Sequence, residues 1–152
     1  MPTANTDPIY SKSGITSTNA ATSMSQPITA AANDFTGVSA NNVLVFTAAG
    51  TVGDNIGGSF IQRLRFKAAG TNAGATVARI FINNGSVNTT ATNNTFFDEV
   101  ALPITTANTA GITSPAIDVP MNIALEPGFR IYVGLGAAVG GGWTVTPFAG
   151  RY

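Results

Sequence analysis

From residue 41 onward the chain is a succession of short runs in which apolar and polar residues alternate, each cut off by glycine, proline or asparagine. This pattern constrains the fold more than any other feature. A period of two sends successive side chains to opposite faces of a pleated strand, whereas a helix needs apolar residues three and four apart. Seven runs read as strands: Asn42 to Ala48, Phe60 to Lys67, Thr76 to Asn83, Thr95 to Leu102, Ala116 to Ile123, Phe129 to Leu135 and Trp143 to Phe148. No window carries an amphipathic helix with caps.

The faces follow from the alternation. In the second run Phe60, Gln62, Leu64 and Phe66 share one face, and Ile61, Arg63, Arg65 and Lys67 the other. In the third, Ala78, Ile80 and Ile82 oppose Val77, Arg79 and Phe81, so both faces are expected to be covered. Ile117, Val119, Met121 and Ile123 share a face in the fifth run; Phe129, Ile131, Val133 and Leu135 point inward in the sixth. Pro120 cannot donate to a ladder and belongs on an edge or at a bulge. Asn83-Asn84-Gly85 and Pro127-Gly128 can supply the positive φ of tight turns. The glycine-rich segment 134–142 reads as a hairpin connection. Seven or eight strands at this spacing predict an all-β protein, an antiparallel β-sandwich, with a jelly roll as the natural closure for eight.

Residues 1–40 differ in kind. Thr, Ser, Ala and Asn dominate, Pro2, Pro8 and Pro27 are spread among them, and the apolar residues stand singly with no period. The expected organisation is an extended N-terminal arm over 1–40 and a β-sandwich domain over 41–152. Two readings of the first segment stand: a loosely attached tail, or an arm whose sparse apolar residues dock on a neighbouring subunit. On the second reading Tyr10, Ile15, Met24 and Phe35 are the anchors, and deleting 1–40 leaves the sandwich folded. The N-terminus has no basic segment followed by an apolar stretch, and no run approaches the length of a membrane-spanning helix. The expectation is a soluble protein made in a cytoplasm, with no membrane partner.

Chemistry is narrowed by what is missing. The chain has no histidine, no cysteine, and only 7 basic and 7 acidic residues in 152. Those side chains carry most proton transfer, metal ligation and covalent catalysis. A serine nucleophile would have to use Lys12, Lys67 or a carboxylate as base, and no spacing pairs them. Asp98 and Glu99 are adjacent, so they point to opposite faces of a strand and read as edge-protecting charge rather than paired catalytic carboxylates. A divalent metal on Asp54 or Asp118 has no supporting cluster. The run Gly134 to Gly140 lacks the following helix and lysine of a phosphate loop. The glycosylation patterns at Asn84, Asn88 and Asn93 are expected by chance in a chain this rich in Asn and Thr. No enzyme, cofactor or metal is expected.

Arg63, Arg65, Lys67 and Arg79 hold four of the seven basic residues, three of them on one strand face. They read either as polar contacts to an acidic partner or as a solvated face paired across strands with Asp98, Asp118 or Glu126. No aromatic stacking partner is interleaved among them on that face, and the net charge is zero, which argues against nucleic acid. Little self-repulsion keeps such a chain monomeric, so association with copies of itself or incorporation in a larger body is expected.

The C-terminal stretches Ala124-Leu125-Glu126-Pro127-Gly128-Phe129-Arg130-Ile131-Tyr132-Val133, Gly142-Trp143-Thr144-Val145 and Gly150-Arg151-Tyr152 resemble small β-sandwich virion proteins of tailed bacteriophages, of the capsid decoration or cement type. The resemblance covers about the last 30 residues and the Ala/Thr/Asn-rich style of the whole. It implies a homo-oligomeric shell component, often trimeric, that clamps junctions between copies of the major capsid protein or another virion protein. It also implies a final location in the virion after synthesis in the host cytoplasm. Two alternatives remain: a tail-tip or fibre-associated module binding host glycans through loops near Trp143 and Tyr132, and a shell-forming jelly-roll capsid subunit.

Overall fold

The computed structural model describes residues 12–13, 26–53, 55, 57–108, 110–111 and 113–151. Eight strands follow one another: β1 (Lys12–Ser13), β2 (Val43–Thr47), β3 (Ser59–Ala68), β4 (Thr76–Asn83), β5 (Asn94–Leu102), β6 (Ala116–Leu125), β7 (Arg130–Leu135) and β8 (Trp143–Arg151). A single 3-10 turn, Ala91–Asn93, is the one helical element among the described residues. The strands form two four-stranded sheets, ordered β1-β8-β3-β6 and β2-β7-β4-β5. All neighbours are antiparallel. The protein is an all-β sandwich of two packed sheets.

The pairs β1·β8, β2·β7, β3·β6 and β4·β5 are those of one long antiparallel ribbon bent back on itself between β4 and β5, with alternate pairs assigned to alternate sheets. Because β7 and β8 lie in different sheets, residues 136–142 cross between the sheets and do not form the expected hairpin. The expected turn glycines do adopt positive φ, +87° at Gly85 and +77° at Gly128.

Between the sheets the inward residues behave as their alternation predicts. Ile131, Val133 and Leu135 of β7 and Ala78 and Ile80 of β4 pack against Leu64 and Phe66 of β3, Val119 and Met121 of β6, and Trp143 and Val145 of β8. Each fully buried large apolar side chain contributes about 1.5–3 kcal/mol of transfer free energy. β3 departs from the expectation in its first half. The register shifts between Ile61 and Arg63 against both neighbours, so Ile61 is buried and Phe60 faces outward. A strict period of two cannot anticipate such a step, because a bulge flips every side chain beyond it. At the same level β6 carries an extra residue, and Asn122 there takes a left-handed φ of +49°. Pro120 lies on β6, an edge strand, at the first pair beyond the shift.

Residues 26–40, assigned by composition to the arm, run against the sandwich. Ile28 is 4% exposed and belongs to the core. Its backbone exchanges two hydrogen bonds with Trp143, with N–H of Ile28 donating at 2.9 Å and N–H of Trp143 at 3.1 Å. The chain then moves to the other sheet, where the N–H groups of Ala32 and Asn33 donate to the Leu135 carbonyl. Residues 31–42 cross the outer side of β7 at Gly134, where a Cβ would meet the Asn42 side chain and lie 2.8 Å from the Ala32 methyl. Both faces of β4 are covered: Phe35 of this strap lies on Arg79, and Phe81, fully buried although it faces away from the main core, packs on Phe96.

Candidate functional site

Two surfaces gather the charged and aromatic side chains. The first is the outer face of the β1-β8-β3-β6 sheet, where the β3 alternation beyond the bulge sends Arg63, Arg65 and Lys67 outward. Asp118 stands directly opposite Arg65 on β6. Arg65 donates through Nε and Nη2 to the two carboxylate oxygens of Asp118, both at 2.7 Å, and Arg63 Nε lies 3.6 Å from Oδ2. The hydrogen bond to Asp118 holds the Arg65 guanidinium above its usual pKa, and that from Arg65 holds Asp118 below the usual carboxylate range. The pair is solvated and screened, so it orients side chains more than it stabilises the fold. The Arg63 guanidinium lies 4.1 Å from the Phe148 ring centroid, and Arg65 is 5.4 Å from it. Lys67 Nζ donates to the Ser114 carbonyl at 2.6 Å.

The cross-strand pairing expected for these cations is therefore present, with Asp118 as acceptor. The expectation that no aromatic residue accompanies them is corrected: Phe148 arrives from β8, the other neighbour of β3. Arg79 does not join the group, since β4 belongs to the second sheet.

Arg79 instead centres the second surface. It is largely buried, and its Nε donates to Glu99 Oε2 at 2.8 Å across the β4·β5 pair. Its guanidinium sits 3.7 Å from the centroid of the Phe35 ring, and Nη1 donates to the Asp34 carbonyl at 3.4 Å. Phe35 meets Phe96 edge-on with centroids 6.0 Å apart, and Phe96 packs on Phe81 at 5.7 Å. Phe35 is 60% and Phe96 43% exposed, so the outer rim of this cluster is solvent-facing aromatic surface. Asp98 sits next along β5, opposite Ile80, while Glu99 stands opposite Arg79. Both carboxylates thus lie on an edge strand, as edge-protecting charge does. Of the proposed anchors, Phe35 is the one the structure describes; Tyr10, Ile15 and Met24 lie outside the described residues.

Asp34 shapes the strap that presents Phe35. Its Oδ1 accepts from the N–H and hydroxyl of Thr36 at 2.7 and 2.8 Å, and its Oδ2 from the Ser39 N–H at 2.8 Å and Asn42 Nδ2 at 3.0 Å. Partial burial pushes its carboxyl upward, but the hydrogen bonds from Ser39, Thr36 and Asn42 together outweigh this and lower its pKa from 3.8 to about 2. A carboxylate depressed in the folded state stabilises it above the unfolded pKa and loses that contribution as pH falls through the folded value. The strap is therefore expected to hold at neutral pH and to loosen as pH drops from about 4 to 2. A carbon-13 titration should place the Asp34 midpoint near 2, with the Thr36 and Ser39 amide shifts following it. A midpoint at the ordinary value would refute the arrangement.

An open groove of about 640 Å³ runs beside the strap, lined among others by Ile28, Asn41, Asn42, Asn88 and Tyr132, with no carboxylate or cation among the described residues on its walls. Trp143 is fully buried in the core, so it offers no platform for a sugar ring, and Tyr132 is 9% exposed. Among the described residues no group of three or more acidic side chains could hold a metal ion. Sequence reasoning missed Asp34, although Asp34 followed two residues later by Thr36 is a local turn signal that could have found it. It also missed Phe148, for which no local signal exists, because register between strands distant in sequence is not written in either.

No family model, curated protein or solved structure matches the chain.

Proposed function

We propose that the chain is a non-enzymatic virion structural protein of the capsid decoration or cement type, which associates with copies of itself and clamps neighbouring shell subunits. The observation that carries this reading is the strand arrangement. An antiparallel ribbon whose four successive pairs alternate between two sheets supports a jelly roll, an architecture used by viral shell proteins. Fold alone serves many functions, so the surfaces matter as well. The outer face of β3 groups three cations with one carboxylate, while the outer side of β4 and β5 groups Asp34 and Glu99 with one cation and two exposed aromatic rings. Unlike faces on one chain suit repeated contacts in a lattice or ring, whose individually weak strengths multiply through effective concentration. A clamp that binds only the assembled shell stabilises it by mass action.

The test is stoichiometry and release. Quantitative mass spectrometry of particles purified from the producing host should find the chain at a copy number commensurate with the major shell protein. Stripping it should lower the particles' melting temperature, and adding it back should restore it. A handful of copies per particle, or particles indifferent to its removal, would count against a clamp. Truncation should remove residues 1–25 and not 1–40, since Ile28 is part of the core. The strand arrangement equally favours a shell-forming subunit, and spontaneous assembly of the pure chain into closed particles would shift the assignment there.

A further inference from the structure

The sequence contains a single Asn-Gly pair, Asn84-Gly85, in the connection that leaves β4. Glycine is required at its second position: φ is +87°, and a Cβ there would lie 2.8 Å from the Gly128 carbonyl oxygen. The fold therefore fixes glycine after Asn84, the neighbour that leaves an asparagine side chain most easily attacked because it carries no side chain of its own. We propose that Asn84 is a latent deamidation site and that Asn83 acts as its brake.

The chemistry is a ring closure. The Gly85 nitrogen gives up its proton and attacks Cγ of Asn84, forming an N–Cγ bond. The Cγ–Nδ2 bond breaks and the amide nitrogen leaves as ammonia, carrying the displaced proton. Water then opens the five-membered imide at either carbonyl, leaving aspartate or isoaspartate at position 84. No oxidant or further reactant is involved.

Two contacts act on this reaction in opposite senses. The Ser86 N–H donates to Asn84 Oδ1 at 3.1 Å, where negative charge develops as the nitrogen adds, so the electrophile is oriented and polarised. The Gly85 N–H, which must lose its proton, donates to Asn83 Oδ1 at 2.9 Å. Asn83 cannot swing away: it is fully buried, and its Nδ2 donates to Asn94 Oδ1 at 2.8 Å. Asn94 is in turn fixed by donating to the Asn88 carbonyl at 2.7 Å. The exposed Asn84 is thus primed on its carbonyl side and held off on the nitrogen side. Breaking one such hydrogen bond before attack corresponds to about tenfold in rate, or about 1.4 kcal/mol. Release would place a new carboxylate, or an extra backbone methylene, in the loop whose Ser86 carbonyl accepts from Arg130 Nη1 at 3.1 Å.

The experiment follows conversion at position 84 by peptide mass spectrometry and isoaspartate detection, incubating the full chain at mildly alkaline pH. Asn83→Ala is expected to deamidate about tenfold faster than wild type. Asn83→Asp keeps an acceptor for the Gly85 N–H and should stay near the wild-type rate. Asn94→Ala removes one of the groups that hold Asn83 but leaves the acceptor in place, and should accelerate conversion by clearly less than Asn83→Ala. Equal rates for wild type and Asn83→Ala would overturn the brake, as would equal acceleration in all three variants. Should Asn83→Ala fail to fold, the folded and urea-unfolded wild-type chains serve instead. Position 84 must then convert faster on unfolding by more than Asn88 and Asn93 in the same peptide, and equal acceleration at all three overturns the proposal.

Discussion

Replacing Asn72 with leucine is expected to destabilise the protein by about 3 kcal/mol or more, although leucine has the same branched outline and is far more apolar. Asn72 is fully buried between the loops that follow β3, β5 and β7. Its Oδ1 accepts from the N–H groups of Gly141 and Gly142 at 3.0 and 2.8 Å. Its Nδ2 donates to Thr105 Oγ1 at 2.9 Å and to the Gly142 carbonyl at 3.3 Å. Leucine would leave two backbone donors unpaired, each a penalty of about 1–3 kcal/mol. The packing leaves little room to relax, since a Cβ at Gly141 would lie 2.6 Å from the Gly70 carbonyl carbon. Urea unfolding should show a lower midpoint with an unchanged slope. A loss under about 1 kcal/mol would mean the three loops hold together without this side chain.

Trp143→Ala is expected to cost about 3–5 kcal/mol, the range for emptying a large aromatic site. Trp143 is the only tryptophan, is fully buried, and begins β8 where the chain meets Ile28. Its loss opens a cavity and also weakens the docking of residues 26–33. A double-mutant cycle with Ile28→Ala separates the two effects, since residues in contact couple by about 0.5–3 kcal/mol. In the wild type the indole should emit at short wavelength and resist iodide quenching until the protein unfolds. Ready quenching in the native state would place the ring outside the core.

How much of this was legible depends on how local each determinant is. The β4 boundaries and the inward set of β7 are written in consecutive residues, because alternation against a buried face is a local property. The reversal at Ile61 is not, for it depends on a register step shared with β6 and β8. The role of Ile28 was hidden because an isolated apolar residue among Thr and Ala has no period, although Ile28 joins the same buried cluster as Leu64. Arg65 could be read as one of an exposed stripe, but not as the bidentate partner of Asp118, and Arg79 could not be assigned to the other sheet. Asn72 stood in a glycine-rich loop and resembled ordinary turn chemistry.

The position of β8 has a consequence for how the chain acquires its structure. β3, the ten-residue strand at the heart of its sheet, is flanked by β6 and β8, both later in sequence. During synthesis one backbone edge of β3 therefore waits for residues 116–125 and the other for residues 143–151. Only β4 and β5 can pair as they emerge, and every other pairing closes a long loop. The sparse charge of the chain leaves this interval thinly protected by repulsion. Early partners, whether chaperones or other copies of the chain, would meet strand edges before they meet a finished sandwich.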